Sequence, residues 1–356
     1  MKPIRYSYHW YVIGRLVSRY IMNKFDVISI GDTTLDVFLE LDESDAKVQC
    51  GPDGEDCKLL LSWPDKIPVK KMTNVPAVGN AANVAVGCAR LGLKSALYTI
   101  LGKDQSGKEA FEKLKSEKVA KDYIVWDKNR GTNYSTVINL KGERTILVYH
   151  QPRTYSLPTL AKTDWIYLTA IGHGHEKLDQ QIIDYVDKTG AKLGFNPGDQ
   201  QLKEGFEALK PIIKKCTVFF VNKEEAERLL GQKADAKTLL KLMHNEGPNI
   251  VVITDGPKGS YSFDGTNYYF QEVLRVPLIE MTGTGDSYAT GFISALHLGK
   301  DIKEAMKWGT TNAAAKLQQI GAQAGLLTRK QMEGFMNGTV KLDFIKDNSG
   351  LNVEKI

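Results

Sequence analysis

The clearest chemical signal in the sequence is a glycine-rich turn that ends in an aspartate, Asp286. Residues 280–286 read EMTGTGD, and a helical pattern, SYATGFISAL, follows at once. Glycines before a helix leave backbone N–H groups pointing at one spot, where the helix dipole also favours negative charge. A carboxylate there would repel a phosphate that is only held, but it suits removal of a proton from a hydroxyl that attacks the phosphate. In the alternative interpretation the turn is structural and Asp286 caps the helix.

A second glycine-containing turn leads into a helix roughly 200 residues earlier. Residues 78–92 read VGNAANVAVGCARLG, and their small side chains let a ligand approach the backbone closely. Asn80 and Asn83 can present their amides on one side of the first helical turn, where uncharged hydrogen bonds suit sugar hydroxyls. Asparagine at a helix start also serves as a cap, and that alternative stays open.

The elements that must position these turns alternate between strand and helix patterns. Such alternation indicates βαβ units and a mostly parallel sheet with helices on its faces. The predicted strand and helix pairs are 95–101 with 107–117, 165–169 with 176–189, 192–196 with 204–214, and 217–221 with 223–230, followed by helix 236–245 and strand 250–254.

Two segments, 34–76 and 132–150, contain strand patterns without intervening helices. We expect them to form a small antiparallel sheet that covers a cleft on the larger domain, with a hairpin turn at residues 141–142.

Composition restricts the class of protein. The chain has 356 residues, of which 42% are hydrophobic and 25% are charged, so it can bury a sizeable core, and disordered or fibrous architectures are excluded. The net charge of +5 is concentrated in residues 1–21, which hold four basic and no acidic residues; the other 43 basic residues face 42 acidic ones. A nearly neutral body gives no indication of a nucleic-acid partner.

Residues 1–21 are expected to be a non-structural extension. Their apolar stretch is interrupted by Arg15 and Arg19 and is too short to cross a bilayer, which needs about 20 apolar residues. It also lacks the uninterrupted apolar region and cleavage site of a signal peptide. A surface-binding amphipathic segment is the alternative. We therefore expect no membrane partner.

Four cysteines are few for this length, which favours a reduced, cytoplasmic protein. Cys50 and Cys57 flank a six-residue segment that reads as a loop, and this gap does not match the short spacing of zinc knuckles. The sequence therefore predicts neither a metal site nor a disulfide there.

The two glycine-rich turns, in this order and at this separation, resemble the two signatures of the ribokinase-like family, the PfkB carbohydrate kinases. Three further segments between them are similar to family motifs: GKDQSG at 102–107, NKEE at 222–225 and TDGPKG at 254–259. The resemblance extends over residues 25–327.

The resemblance implies a ribokinase-like α/β/α domain over residues 22–340 with the antiparallel segments as its lid, followed by a tail at 341–356. It implies an ATP-dependent, Mg²⁺-requiring phosphotransferase that acts on a hydroxyl of a small sugar. The fold also serves nucleoside acceptors, so a nucleoside kinase is the alternative; apolar lid residues such as Phe38, Leu60 or Trp63 would then stack on the base. A catalytically silent sugar- or nucleotide-binding regulator is the third alternative. The exposed lid edges suggest a homodimer.

Site residues follow from the resemblance position by position. Asp286 would be the catalytic base, and the backbone amides of Gly283, Thr284 and Gly285 would stabilise charge on the transferring phosphoryl group. Asp36, Gly79, Asn80 and Asn83 would hold the acceptor. Asn222 and Glu225 would help order Mg²⁺ through water, and Thr254, Gly256, Gly259 and Asn312 would border the nucleotide.

Three departures from the family pattern stand near these residues. Glu280 and Met281 replace an Asp-Thr pair that is tied in some members to a monovalent cation, so a potassium requirement stays open. Thr284 replaces the usual alanine, and Val78 stands where a first glycine is expected. The base is retained.

Overall fold

The computed structural model describes residues 24–51, 57–140, 143–339 and 353–355. Ten strands within these ranges form one large sheet. Numbered in chain order and given in their order across the sheet, they are β16 (Val353–Lys355), β15 (Tyr268–Gln271), β14 (Ser260–Phe263), β13 (Ile250–Thr254), β12 (Val218–Asn222), β11 (Lys192–Phe195), β10 (Thr163–Leu168), β1 (Phe25–Ile30), β6 (Ser95–Gly102) and β7 (Ile124–Asp127).

The seven strands from β13 to β7 run parallel, and β14, β15 and β16 add an antiparallel edge. The central strands are buried on both faces. In β1, for example, Val27 belongs to the apolar cluster on one side of the sheet and Ile28 to the cluster on the other. Successive side chains of a strand point to opposite faces, so a strand covered on both sides is apolar at nearly every position.

Helices cover both faces and complete the predicted three-layer α/β/α architecture. One face carries α3 (Glu176–Thr189), α4 (Asp199–Glu204), α5 (Phe206–Ile213), α6 (Lys223–Leu230) and α7 (Ala236–His244). The other carries α1 (Asn80–Arg90), α2 (Gln105–Ser116), α8 (Thr284–His297), α9 (Ile302–Leu317) and α10 (Arg329–Met336).

The predicted strands and helices between residues 95 and 254 are present, with boundaries shifted by a few residues. One helix was not predicted: α4 (Asp199–Glu204) precedes the helix predicted at 204–214, which is α5, and is separated from it at Gly205. This glycine has φ of +86°, a conformation that interrupts a right-handed helix and that side chains other than glycine rarely adopt.

The lid is a separate four-stranded sheet with the order β5 (Val69–Val78), β2 (Thr34–Leu41), β8 (Asn133–Leu140) and β9 (Glu143–Tyr149). Its two outer pairings are antiparallel, as predicted, whereas the central β2–β8 pair, which joins two separate segments of the chain, is parallel. The expected turn at residues 141–142 lies outside the described residues.

Cys50 and Cys57 form a disulfide, so the prediction of unpaired thiols at these positions is wrong. The reason is a hairpin of β3 (Ala46–Gln49) and β4 (Lys58–Leu61), in which Gln49 pairs with Lys58. This register brings the two cysteines, each next in the chain, face to face. A gap of six residues says nothing about register, so the sequence spacing alone did not reveal the bridge.

The ends of the chain differ from one another. The extension predicted at 1–21 lies outside the described residues. In the tail predicted at 341–356, residues 353–355 add β16 to the edge of the large sheet by pairing with β15. Among the helices of the described residues, none has both the length and the apolar character needed to traverse a bilayer.

Candidate active site

The glycine-rich turn before α8 is held close to the protein body. Gly283 is the N-cap of α8 and has φ of +78°, and a Cβ at this position would lie 2.6 Å from Cβ of Ala322. Both the left-handed backbone and the close neighbour therefore require glycine here. At Gly285, in contrast, a Cβ would meet no described atom within 4 Å, so this side of the first helical turn is open.

One of the three amides expected to bind phosphate has a partner within the chain. The Thr284 N–H donates to the carbonyl of Met281 at 3.2 Å, and the Thr284 hydroxyl donates to the same carbonyl at 2.7 Å. The departure from alanine at position 284 thus adds a hydrogen bond that closes the turn on itself.

Asp286 lies in the first turn of α8 with 4% of its surface exposed. Its Oδ2 accepts a hydrogen bond of 2.8 Å from Nδ2 of Asn83, and Asn80 is a second side-chain partner. Burial raises the pKa of Asp286 to about 6, and the two asparagines act in the opposite direction. Within the described part of the chain, Oδ1 has no hydrogen-bond partner. One oxygen is fixed and the other is free to accept a proton.

The two glycine-rich turns of the sequence meet because α1 and α8 pack tightly against each other. At Gly87 of α1, a Cβ would lie 2.6 Å from the side chain of Thr290 of α8. Gly79, just before α1, has φ of +105°, and a Cβ there would lie 2.6 Å from the carbonyl oxygen of Asp32. These contacts bring Asn83 to Asp286 across 203 positions of the chain.

Gln323 contacts the candidate site, and sequence reasoning missed it. Its Nε2 donates to Oδ1 of Asn83 at 3.1 Å and to the carbonyl of Ala77 at 2.6 Å. Since Oδ1 of Asn83 accepts this bond, its Nδ2 faces Asp286. Gln323 follows the last predicted motif, and no local pattern marks it.

Asp36 is buried within β2 of the lid sheet. Burial raises its pKa to about 6; a hydrogen bond with Ser135 lowers it in part, and the charge of Glu280 raises it further. Oδ1 of Asp36 is another buried atom for which the described residues offer no hydrogen bond. A polar ligand could donate the missing hydrogen bond to this atom.

Asp32, which the sequence analysis also passed over, lies at the end of β1 beside the turn at Gly31. Its Oδ2 accepts hydrogen bonds from the hydroxyl of Tyr155 at 2.8 Å and from the N–H of Gly172 at 3.0 Å. Nδ1 of His150, at the end of the lid, lies 3.7 Å away. The available signal was its position at the carboxyl end of a parallel strand, where ligands of such sheets bind.

Asn222 and Glu225 form a capping box at the start of α6. Oδ1 of Asn222 accepts from the N–H of Glu225, and Oε2 of Glu225 accepts from the N–H of Asn222, both at 2.8 Å. Burial raises the pKa of Glu225, and the nearby carboxylates of Asp199 and Glu224 raise it further. Carboxylate oxygens are suitable ligands for Mg²⁺, directly or through water. The oxygens of these three carboxylates do not all lie within 4.8 Å of one another, so an ion near them would be held mainly through water.

Thr254 pairs with Asn222 at the carboxyl ends of β13 and β12, so the two predicted nucleotide-side motifs lie next to each other. A short 3₁₀ turn, Gly256–Lys258, follows. Gly256 (φ +49°) faces open space among the described atoms, whereas a Cβ on Gly259 (φ +102°) would collide with the backbone of Gln271. Gly256 therefore leaves room at the surface, and Gly259 permits close packing.

Asn312 does not have the surroundings expected of a nucleotide-binding residue. It is fully buried in α9, where its Nδ2 donates to the carbonyl of Ser287 at 2.8 Å and its Oδ1 accepts from the N–H of Leu327 at 3.0 Å. Its amide joins α9 to α8 and to the chain beyond. Although this side chain lies in an apolar helix cluster, both of its polar atoms are hydrogen-bonded to backbone groups of the protein.

Comparison with known proteins agrees with this architecture. The structure of Arabidopsis thaliana ribokinase complexed with ribose and ATP superimposes with a TM-score of 0.72 at 20% sequence identity, covering 88% of this chain and 99% of that one. The fold is thus that of the ribokinase-like kinases.

Sequence relatives give the family. The model of the pfkB family of carbohydrate kinases matches residues 56–329, and the chain belongs to this family of sugar and nucleoside kinases. An uncharacterized sugar kinase of Archaeoglobus fulgidus is 27% identical over 251 residues, 68% of this chain and 98% of that protein. A nucleoside kinase of Methanothermobacter thermautotrophicus is 24% identical over 314 residues, 85% of this chain and 92% of that protein.

Proposed function

We propose that the protein transfers the γ-phosphoryl group of ATP to a hydroxyl of a small sugar, with Asp286 as the general base. The observation that carries this proposal is the buried carboxylate of Asp286, held by Asn83 through one oxygen and unpartnered within the described residues at the other, in the first turn of a glycine-led helix.

The base acts through Oδ1. A pKa of about 6 leaves the carboxylate ionised at neutral pH while keeping it more basic than an exposed aspartate, which favours proton abstraction. The amides of Gly283 and Gly285 and the dipole of α8 stabilise negative charge on the transferring group. Thr284 contributes by closing the turn, since its own N–H is engaged with Met281.

Asp36, Gly79 and Asn80 hold the acceptor, and the unpartnered Oδ1 of Asp36 accepts from its hydroxyl groups. Asn83 has a different role from the one that the resemblance implied. Both ends of its amide are engaged, with Asp286 and with Gln323, so it positions the base and does not bind the sugar directly.

Asn222, Glu225 and Asp199 would hold Mg²⁺ through water on the nucleotide side, where Thr254, Gly256 and Gly259 would border ATP. When bound, the ion neutralises charge on the phosphates. The residues of the chain provide its carboxylate surroundings and keep α6 capped.

A nucleoside acceptor is the second candidate, because the Methanothermobacter nucleoside kinase aligns with 85% of this chain. The lid residues that would stack on a base differ in exposure. Trp63 is 94% exposed and Leu60 is also exposed, whereas Phe38 is partly buried in β2. Phe38 is therefore the better candidate for contact with an enclosed base.

The lid also supports the proposal of a homodimer. Both β5 and β9 are edge strands, and β9 exposes Leu147, Val148 and Tyr149. Exposed apolar edge strands pair readily with another copy. Light scattering coupled to size-exclusion chromatography will give twice the monomer mass if this edge is the interface.

The test of the function is a coupled assay of ADP release across pentoses, hexoses, their phosphates and nucleosides, in the wild type and in Asp286→Asn. Asp301→Asn is the matched control, because Asp301 caps α9 and asparagine caps equally well. We expect one acceptor class to stimulate release in the wild type and in D301N but not in D286N. If no acceptor stimulates release, the proposal fails and the regulator alternative replaces it.

A further inference from the structure

Lys316, near the end of α9, has no exposed surface. Lysine is almost never fully buried without a partner, because removing an ammonium from water is costly. Groups around Lys316 must therefore stabilise its buried ammonium.

The surroundings of Lys316 are formed by Glu280, just before the glycine-rich turn. Nζ of Lys316 donates a hydrogen bond of 2.6 Å to the main-chain carbonyl of Glu280, and the carboxylate of Glu280 favours the charged ammonium. Oε2 of that carboxylate accepts from the N–H of Gly321 at 2.5 Å. Nη1 of Arg144, from lid strand β9, lies 3.9 Å from Oε1.

These contacts bear on the geometry of the turn at 281–285. The N–H groups of Ile279 and Glu280 both donate to the carbonyl of Leu317, at 2.9 and 3.2 Å. Ala322, which directly follows Gly321, is the residue that faces Gly283. The end of α9 and the segment after it thus hold both the entrance to the turn and the glycine at the start of α8.

We infer that Lys316 is a positioning residue for phosphoryl transfer: its ammonium acts as a built-in cation that ties Glu280 to the end of α9 and so fixes the anion-binding turn. The inference rests on the proposed function of that turn. Lys316 does not touch the reacting groups. It acts on them by keeping the amides of Gly283 and Gly285 aligned, and displacements of about 1 Å in such a site reduce rates by about 100-fold.

The charge state of Lys316 gives the inference a distinctive signature. Burial lowers its pKa to about 8; the charge of Glu280 raises it, and Arg144 lowers it. Above that pH the ammonium becomes neutral and its attraction to the Glu280 carboxylate is lost. Turnover should therefore decline as the pH rises through about 8, together with the order of the turn.

The experiment compares wild type, Lys316→Met and Lys303→Met. Lys303 is exposed on the same helix, so K303M controls for the loss of a lysine. With the acceptor found in the ADP-release assay, we expect K316M to lower kcat by about 10- to 100-fold at pH 7, to change acceptor KM by less than about threefold, and to abolish the alkaline decline. K303M should behave as wild type. An unchanged kcat and an unchanged alkaline limb in K316M would overturn the inference.

Two further measurements cover the case in which K316M folds poorly. In Lys316→Ala, methylammonium should restore part of the lost kcat, whereas tetramethylammonium at equal ionic strength should not. In the wild type, hydrogen exchange of peptides within 279–290, corrected for intrinsic rates, should accelerate between pH 7 and 9 relative to peptides of α3. Absence of both effects refutes the positioning role. D286N separates the two hypotheses. If D286N is inactive while K316M has normal turnover, the role of Asp286 as the base is supported and the positioning role of Lys316 is refuted.

Discussion

Two helices of this protein carry a carboxylate at the same position of their first turn but use it differently. Asp286 of α8 and Glu225 of α6 are both the third helical residue, N3. The backbone conformation of the N-cap residue makes the difference. Asn222 is extended (φ −83°, ψ 170°) and its N–H donates to Glu225, whereas Gly283 is left-handed (φ 78°, ψ 10°) and Asp286 bonds to Asn83 instead. A left-handed N-cap, which glycine adopts readily, thus leaves the acid at N3 outside a capping box and able to bond elsewhere.

The largest effect that this comparison predicts is that of Asp286→Asn. Asparagine keeps the size and the contacts with α1 but cannot accept a proton, so we expect kcat to fall by about 10²- to 10⁴-fold. The equivalent change in α6, Glu225→Gln, preserves the capping box and should affect the Mg²⁺ concentration needed for half-maximal rate more than kcat at saturation. Steady-state ADP release measures both. Similar losses of kcat in the two variants at saturating Mg²⁺ would remove the distinction between the helices.

The next effect concerns the glycine cap itself. Gly283→Ala places a Cβ against Ala322 in a left-handed conformation, so the turn must move, and we expect kcat to fall by about 10- to 100-fold. Gly231→Ala is the matched control: Gly231 ends α6 with φ of +65° and no described atom within 4 Å of the added Cβ. That variant should lose about 1 kcal/mol of stability and keep its turnover. Turnover in G283A equal to that of G231A would show that the turn tolerates displacement.

A third prediction is an acid limb in kcat/KM for ATP, measured with saturating acceptor. Asp286 accepts a proton only when ionised, so the rate should fall about tenfold per pH unit below about 6. Burial raises the pKa of Asp36 to a similar value, and Asp36→Asn, measured with saturating acceptor, separates the two groups: the limb should persist in that variant.

The same shift has a consequence for stability. Between its ordinary value of 3.8 and about 6, the folded state holds a proton on Asp286 that the unfolded state has released, so stability falls as pH rises through this window. D286N should therefore melt at a higher temperature than wild type at pH 7. A lower melting temperature would mean that the carboxylate stabilises the fold.

The smallest effect is expected from Asn222→Ala. Loss of the side-chain cap of α6 should cost about 1 kcal/mol in the free energy of unfolding, measured in urea, with a change in kcat well below that of D286N. A loss of activity as large as that of D286N would show that Asn222 contributes directly to the reaction.

The alternation of strands and helices was sufficient to predict most of the large sheet, because fully apolar strands and amphipathic helices have distinct periods. The glycine-rich turn before a helix marked Asp286 as a possible base, and the family resemblance assigned it that role. What the sequence did not reveal depends on contacts between distant positions: the bond from Asn83 to Asp286, the support from Gln323, the register that joins Cys50 to Cys57, and the complete burial of Asn312.

Residues 222–225 show a different difficulty. The Asn-x-x-Glu pattern fits both a capping box and the resemblance to a magnesium-linked motif. The structure contains the box, and the acidic neighbours of Glu225 leave the second role open to experiment. One pattern can satisfy a local requirement and a functional one at the same time, so the pattern alone cannot separate them.

Strand β16 has a practical consequence for handling the protein. Residues 353–355 cover β15, which would otherwise present unpaired N–H and C=O groups along one side of the large sheet. A fusion partner attached directly after Ile356, or removal of the last four residues, would disturb this cover. Preparations altered in this way should form higher-order species on concentration, whereas a long flexible spacer after Ile356 should keep the monodispersity of the unmodified chain.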